Sequence, residues 1–197
     1  MGWRNRRCIR SFRWKPGRLQ YLPGSDFNAY SERIEPASVI QIEPFSEAAL
    51  PAVYELEHVC FPKDPWSMTA FRQELTNPLS VFLVATDTDT GRIAGYGGVW
   101  LMYDAGNITN IAVHPDFRRK KVGTALLRRL IHICQERGMN SVTLEVRAGN
   151  RGAIALYETA GFQICGLRKR YYQDREDALI MTLERNREET TNEDSGH

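Results

Sequence analysis

Apolar and polar positions begin to alternate at Val39-Ile40-Gln41-Ile42, just past Pro36, and predict a first strand there. Behind Ser46, Pro51 opens an amphipathic helix that carries Val53, Leu56 and Val59 on one side. Ser67 can cap a shorter helix over 68–75, which Asn77-Pro78 ends. The unbroken run Val81-Phe82-Leu83-Val84-Ala85 predicts a buried strand, residues 87–91 a turn, and residues 92–100 its antiparallel partner. A further strand covers 107–113. The period then lengthens from 2 to 3.6 over about 121–137, with Leu126, Leu127, Leu130, Ile131 and Cys134 on one face and Gly138 as the stop. Residues 141–146 alternate again. Asn150 caps a helix running to Ala160, Gly161 ends it, and 162–170 and 177–183 supply two last strands. This order predicts a mixed α/β domain, its centre a strand–long helix–strand unit.

The chain of 197 residues has room for one domain with a real core. No apolar run approaches the ~18–20 residues that span a bilayer, so no membrane partner is expected. The cysteines (Cys8, Cys60, Cys134, Cys165) have no metal-ligand spacing, so reduced thiols in a cytoplasmic protein and no metal are expected, with Cys134 and Cys165 packed in the core.

The net charge of +2 is uneven: residues 1–37 carry +5 and residues 38–197 carry −3. The domain is therefore assigned to 38–184, behind a basic, poorly ordered extension (1–37) and before an acidic, disordered tail (185–197). No apolar segment follows the early arginines, which argues against a secretory signal. The domain itself is not expected to bind nucleic acid; weak contact through the basic arm stays open, beside the blander reading of a solvated extension.

Candidate chemistry starts where strand meets long helix. Arg118, Arg119, Lys120 and Lys121 precede Val122, Gly123 and Thr124 at the start of that helix. Free N–H donors, the helix dipole and the cations suit a pyrophosphate, and Gly123 allows close backbone approach. A solvated basic loop has the same composition. Downstream, Glu145 shares a strand face with Thr143 and Arg147, and Tyr157 follows twelve residues later on the Asn150-capped helix. A carboxylate and a phenol from neighbouring elements can act as general base and general acid; a solvated glutamate and a core tyrosine are the alternatives.

The pattern "IAVHPDFRRKKVGTALL … LEVRAGNRGAIALYETAGF … YYQDREDALIM", with Cys60-Phe61-Pro62 and Pro65-Trp66-Ser67 before it, resembles the GNAT acetyltransferases over roughly residues 38–184. Within them it is most similar to the bacterial ribosomal-protein-alanine N-acetyltransferases (RimI type). The resemblance implies a mostly antiparallel central sheet flanked by helices and acetyl-coenzyme A as co-substrate. It further implies pantetheine pairing at Ile111, Ala112 and Val113, a pyrophosphate loop over 119–124, and a coenzyme contact from Asn150. Glu145 becomes the base, Tyr157 the acid, and Trp66, Tyr171 and Tyr172 substrate-side candidates. The implied reaction is direct acetyl transfer to a protein N-terminal amine, a ribosomal protein's alanine above all; a lysine or small-molecule amine, or a noncatalytic acyl-coenzyme A-binding or ribosome-docking module, are the other readings. Lys121 stands where the family loop usually has its first glycine, and ordinary helical angles are expected there.

Overall fold

The computed structural model describes residues 30–34 and 38–185, in which eight strands form one sheet in the order β1-β2-β3-β4-β5-β6-β8-β7. The strands are β1 (Tyr30–Ile34), β2 (Ser38–Pro44), β3 (Ser80–Asp87), β4 (Ile93–Met102), β5 (Ala105–Val113), β6 (Ser141–Arg147), β7 (Gln163–Arg168) and β8 (Ala178–Glu184). The helices are α1 (Leu50–Cys60), α2 (Met68–Thr76), α3 (Val122–Glu136) and α4 (Arg151–Thr159). All neighbours pair antiparallel except β5 and β6, the two strands that α3 joins. β1 falls inside segment 1–37, where the sequence pattern predicts no element. The rest of that segment, residues 35–37 included, and the expected tail past Arg185 lie outside the described residues.

Local chemistry sets the ends. The Ser67 hydroxyl accepts from Ala70 N–H at 3.1 Å and Asn150 Oδ1 from Ala153 N–H at 3.2 Å, each capping the helix that follows. Gly138 and Gly161 take φ of 73° and 96°, the left-handed turn that closes α3 and α4.

Two cores lie on opposite faces of the sheet. On one face α3 and α4 bury Leu126, Leu127, Leu130, Cys134 and Tyr157 against Val142, Leu144 and Val146. On the other, α1 and α2 bury Leu50, Val53, Leu56 and Phe71 against Phe82, Tyr96 and Ala112. Val59, expected inside, is 51% exposed, because the stripe Leu50, Val53, Leu56 continues onto Glu57 and leaves Val59 off the buried face. Cys165, expected to pack, is exposed on the edge strand β7, where only one side of the backbone is paired.

The feature that shapes the functional region is a bulge in β5. Against β4, Ile108 pairs with Val99 and Asn110 with Gly98, which leaves Thr109 with no opposite residue. The extra residue resets the alternation: Ile108 joins the α3 core, whereas Ala112 joins the α1/α2 core. Gly98 is required beside it, since a Cβ there would lie 2.2 Å from the Phe82 ring.

Candidate coenzyme and acceptor site

β5 and β6 pair only from Ala105↔Ser141 to Ile108↔Leu144. Beyond that register β5 continues to Val113 and β6 to Arg147 without a shared ladder, so the sheet splits where the bulge bends β5. On the α1/α2 face, Asn107 Nδ2 donates to Thr143 Oγ1 at 3.1 Å as the last side-chain link across the intact pair. Glu145 is the next β6 residue on that face, at the mouth of the split. Its Oε1 lies 3.0 Å from Arg168 Nη2 of β7, and its side chain is 20% exposed.

Tyr157 belongs to α4 and is buried in the core on the opposite, α3/α4 face, with the Phe162 ring 5.8 Å away. Burial, with a smaller push from Tyr172, raises its phenol to about 12, so it holds its proton throughout the neutral range. Burial likewise raises the Tyr172 phenol to about 12, against a downward pull from the Arg147 guanidinium, whose Cζ lies 3.9 Å from its ring centre.

The N-terminus of α3 has no side-chain cap, in contrast to α2 and α4. Its N-cap is Lys121, at φ 61° and ψ 7°. The helical angles expected at Lys121 are therefore not adopted; the loop must reverse sharply to enter the helix, and Arg119, at φ 63°, is left-handed as well. The cations do different work. Arg118 Nε donates to the Val113 carbonyl at 3.2 Å, tying the loop to β5, and Cys60 Sγ lies 3.5 Å from the same oxygen. The Lys120 ammonium stands 5.1 Å from the Phe117 ring centre and Arg92 Cζ 5.3 Å from it.

These features fit an acetyl-coenzyme A: an uncapped helix start beside cations for a diphosphate, and a stretch of β5 whose β6-facing edge is unpaired for an amide-bearing arm. Thr109 Oγ1, buried at the bulge without a partner among the described residues, marks the same stretch as unsatisfied.

Comparison with known proteins agrees. The family model of the acetyltransferase (GNAT) family matches residues 50–162. The chain belongs to the GNAT acetyltransferases. A Bacillus subtilis protein provisionally named [ribosomal protein bS18]-alanine N-acetyltransferase is 42% identical over 131 residues, covering 66% of this chain and 85% of that one. The Escherichia coli K12 [ribosomal protein bS18]-alanine N-acetyltransferase is 39% identical over 137 residues, 68% of this chain and 90% of that one. The crystal structure of the E. coli ribosomal-protein-S18-alanine N-acetyltransferase superposes with a TM-score of 0.67 at 36% identity, over 74% of this chain and 93% of that one.

In this GNAT acetyltransferase the residues singled out from sequence come from both faces of the sheet: Tyr157 packs in the α3/α4 core, whereas Glu145 lies on the opposite face of β6 and Trp66 packs on the α1/α2 core. Ile111 and Val113 lean on the α3 core and Ala112 on the other. Asn150 uses Oδ1 as a cap. Trp66 packs on Phe71 and Phe82 with ring centres at 5.5 and 6.0 Å, and its backbone N–H donates to Glu57 Oε1 at 2.9 Å. Tyr171 is 47% exposed, with Arg168 Cζ 5.3 Å from its ring.

Glu57 is a buried acid beside these residues that the sequence pattern does not single out. It is 1% exposed, accepts from the Tyr96 hydroxyl as well as from Trp66, and has its carboxyl pushed up by burial; Asn110 Nδ2 lies 3.4 Å from the Tyr96 oxygen. Its only sequence signal is an acid on the apolar stripe of α1. Among the described residues no helix is long and apolar enough to cross a membrane.

Proposed function

We propose that this GNAT acetyltransferase moves acetyl from acetyl-coenzyme A to the N-terminal α-amine of a protein that begins with alanine, a ribosomal protein being the foremost candidate, by direct attack in a ternary complex. The observation that carries the reading is the split between β5 and β6, with Glu145 at its mouth and the buried phenol of Tyr157 on the neighbouring helix. The names of its relatives in B. subtilis and E. coli support the alanine acceptor.

Glu145, with Arg168 Nη2 3.0 Å from its Oε1, takes the proton from the α-ammonium, directly or through water. The freed nitrogen forms the new N–C bond, the C–S bond breaks, and Tyr157 passes its proton to the departing thiolate. A phenol raised to about 12 gives up a proton only as the thiolate charge develops beside it. Backbone of β5 over 109–113 and the start of α3, with Arg119, Lys120, Lys121, Gly123 and Thr124 around it, hold the coenzyme, so that proximity and N–H donors supply most of the rate. An α-amine titrates near ~8 and a lysine near ~10.4, so at ~1.36 kcal/mol per unit the lysine needs about 3 kcal/mol more to lose its proton. One partly exposed carboxylate suits the first acceptor better.

Incubating the protein with acetyl-coenzyme A and an alanine-initiated peptide that also contains lysine tests the reading by mass spectrometry. Acetyl on the α-amine is expected; exclusive ε-acetylation would refute it, and coenzyme binding without any transfer would point to the noncatalytic module.

A further inference from the structure

Arg147 ends β6 on the face that carries Glu145, yet no step above uses it. Its guanidinium is the hub of the loop between β7 and β8. Nη1 lies 2.9 and 3.0 Å from the two Asp174 oxygens and 2.8 Å from Glu176 Oε2. Cζ lies 3.9 Å from the centre of the Tyr172 ring. Glu176 Oε1 in turn accepts from the Gly149 N–H at 2.8 Å, next to the cap of α4. Carboxylates at its edge and a ring on its face leave this guanidinium little orientational freedom.

Tyr172 is what the arrangement places. The ring is half-buried and lies against Arg147, which shares its β6 face with Glu145 two residues earlier. The same loop reaches the α1–α2 connection through Lys63–Asp174 at 3.6 Å and Gln173 Nε2–Asp64 Oδ1 at 2.8 Å. Lys63 and Gln173 are exposed, so these contacts fix the loop weakly, whereas Arg147 is partly covered and holds Asp174, Glu176 and Tyr172 at once. The firm anchor is Arg147.

We propose that Arg147 is a positioning residue for the acceptor: it fixes Tyr172 as a wall of the β5–β6 split without touching the reacting atoms. The kinetic part of this inference rests on the N-terminal acetyltransfer reading; the placement of Tyr172 does not.

The test uses the full chain, with coenzyme binding by calorimetry as a folding control. Arg147→Met raises the peptide KM about tenfold and leaves the acetyl-coenzyme A KM within about twofold. Arg147→Lys recovers only part, because an ammonium can reach the two carboxylates that Nη1 bridges but has no planar face to lay on the Tyr172 ring. Tyr172→Ala raises the peptide KM similarly, and adding Arg147→Met to it costs little more. An unmoved peptide KM, equal rises for both substrates, or full additivity overturns the inference. A second arm needs no acceptor: 3-fluorotyrosine at position 172 gives one sharp fluorine resonance in the parent and a shifted, broadened one in Arg147→Met. An unmoved resonance overturns the inference outright, while a moved resonance in a protein that acetylates no peptide upholds the placement of Tyr172 by Arg147 and overturns the acceptor role with the N-terminal acetyltransfer reading.

Discussion

Glu145 and Arg168 meet at 3.0 Å across the whole width of β8, which lies between their strands. The pair places a cation beside the carboxylate proposed to accept the amine's proton. Glu145→Gln keeps the size and loses the basicity. Turnover is expected to fall on the order of 10²-fold or more, with acetyl-coenzyme A affinity by calorimetry unchanged. Undiminished turnover removes Glu145 from the mechanism.

Tyr157 carries a prediction in pH. Its phenol titrates near ~10 in the unfolded chain and at about 12 in the fold, so the folded state holds the proton more tightly. The contribution is fully present below pH ~10 and is lost as pH rises from there toward 12. Denaturant midpoints should therefore fall more steeply over that interval in the parent than in Tyr157→Phe. The same variant should lower kcat about 10²-fold at pH 8. A kcat equal to the parent's would give the proton to another donor.

Lys121 sits at φ 61° where the helix begins. A side chain there costs roughly 1–2 kcal/mol, part of which glycine's larger unfolded-state entropy takes back. Lys121→Gly is expected to stabilise the protein by about 0.5–1 kcal/mol in urea unfolding. Coenzyme binding should weaken a few-fold at low salt, where the lost cation counts most. A loss of stability would show that the lysine makes contacts that outweigh its backbone strain.

Gly98 supports the bulge, and Phe82 fills the space a methyl would need. The ring is one of an aromatic group with Phe45, Trp66, Phe71 and Tyr96, so it has little freedom to move aside. Gly98→Ala should destabilise by about 1–3 kcal/mol, and Phe82→Leu in the same chain should return part of it. Chemical denaturation measures both; an alanine tolerated at no cost would mean that the bulge does not depend on this close approach.

Wherever the information is local, the sequence is enough. Ser67 and Asn150 cap because a side-chain oxygen three residues ahead of an amide has the right reach, and Gly138 and Gly161 close helices because they tolerate positive φ. The two-residue period put Glu145 and Arg147 on the face opposite Leu144 and Val146, and the burial of β6 follows that pattern. The likeness of separated motifs to one family then supplied the chemistry that composition left open.

Tertiary structure decided what depends on partners far along the chain. The bulge at Thr109 exists because β4 and Phe82 set the register of β5, and no local pattern in residues 105–113 announces it. The split follows from where β5 and β6 stop pairing. Lys121 turns left-handed because the loop must leave β5, fastened by Arg118 to Val113, and enter α3 within a few residues. Arg147 finds Asp174, Glu176 and Tyr172 only once β8 lies against β6. Alternation assigns a side chain to a face, but the neighbours on that face come from strands paired over long sequence distances, and only the folded chain brings them within reach.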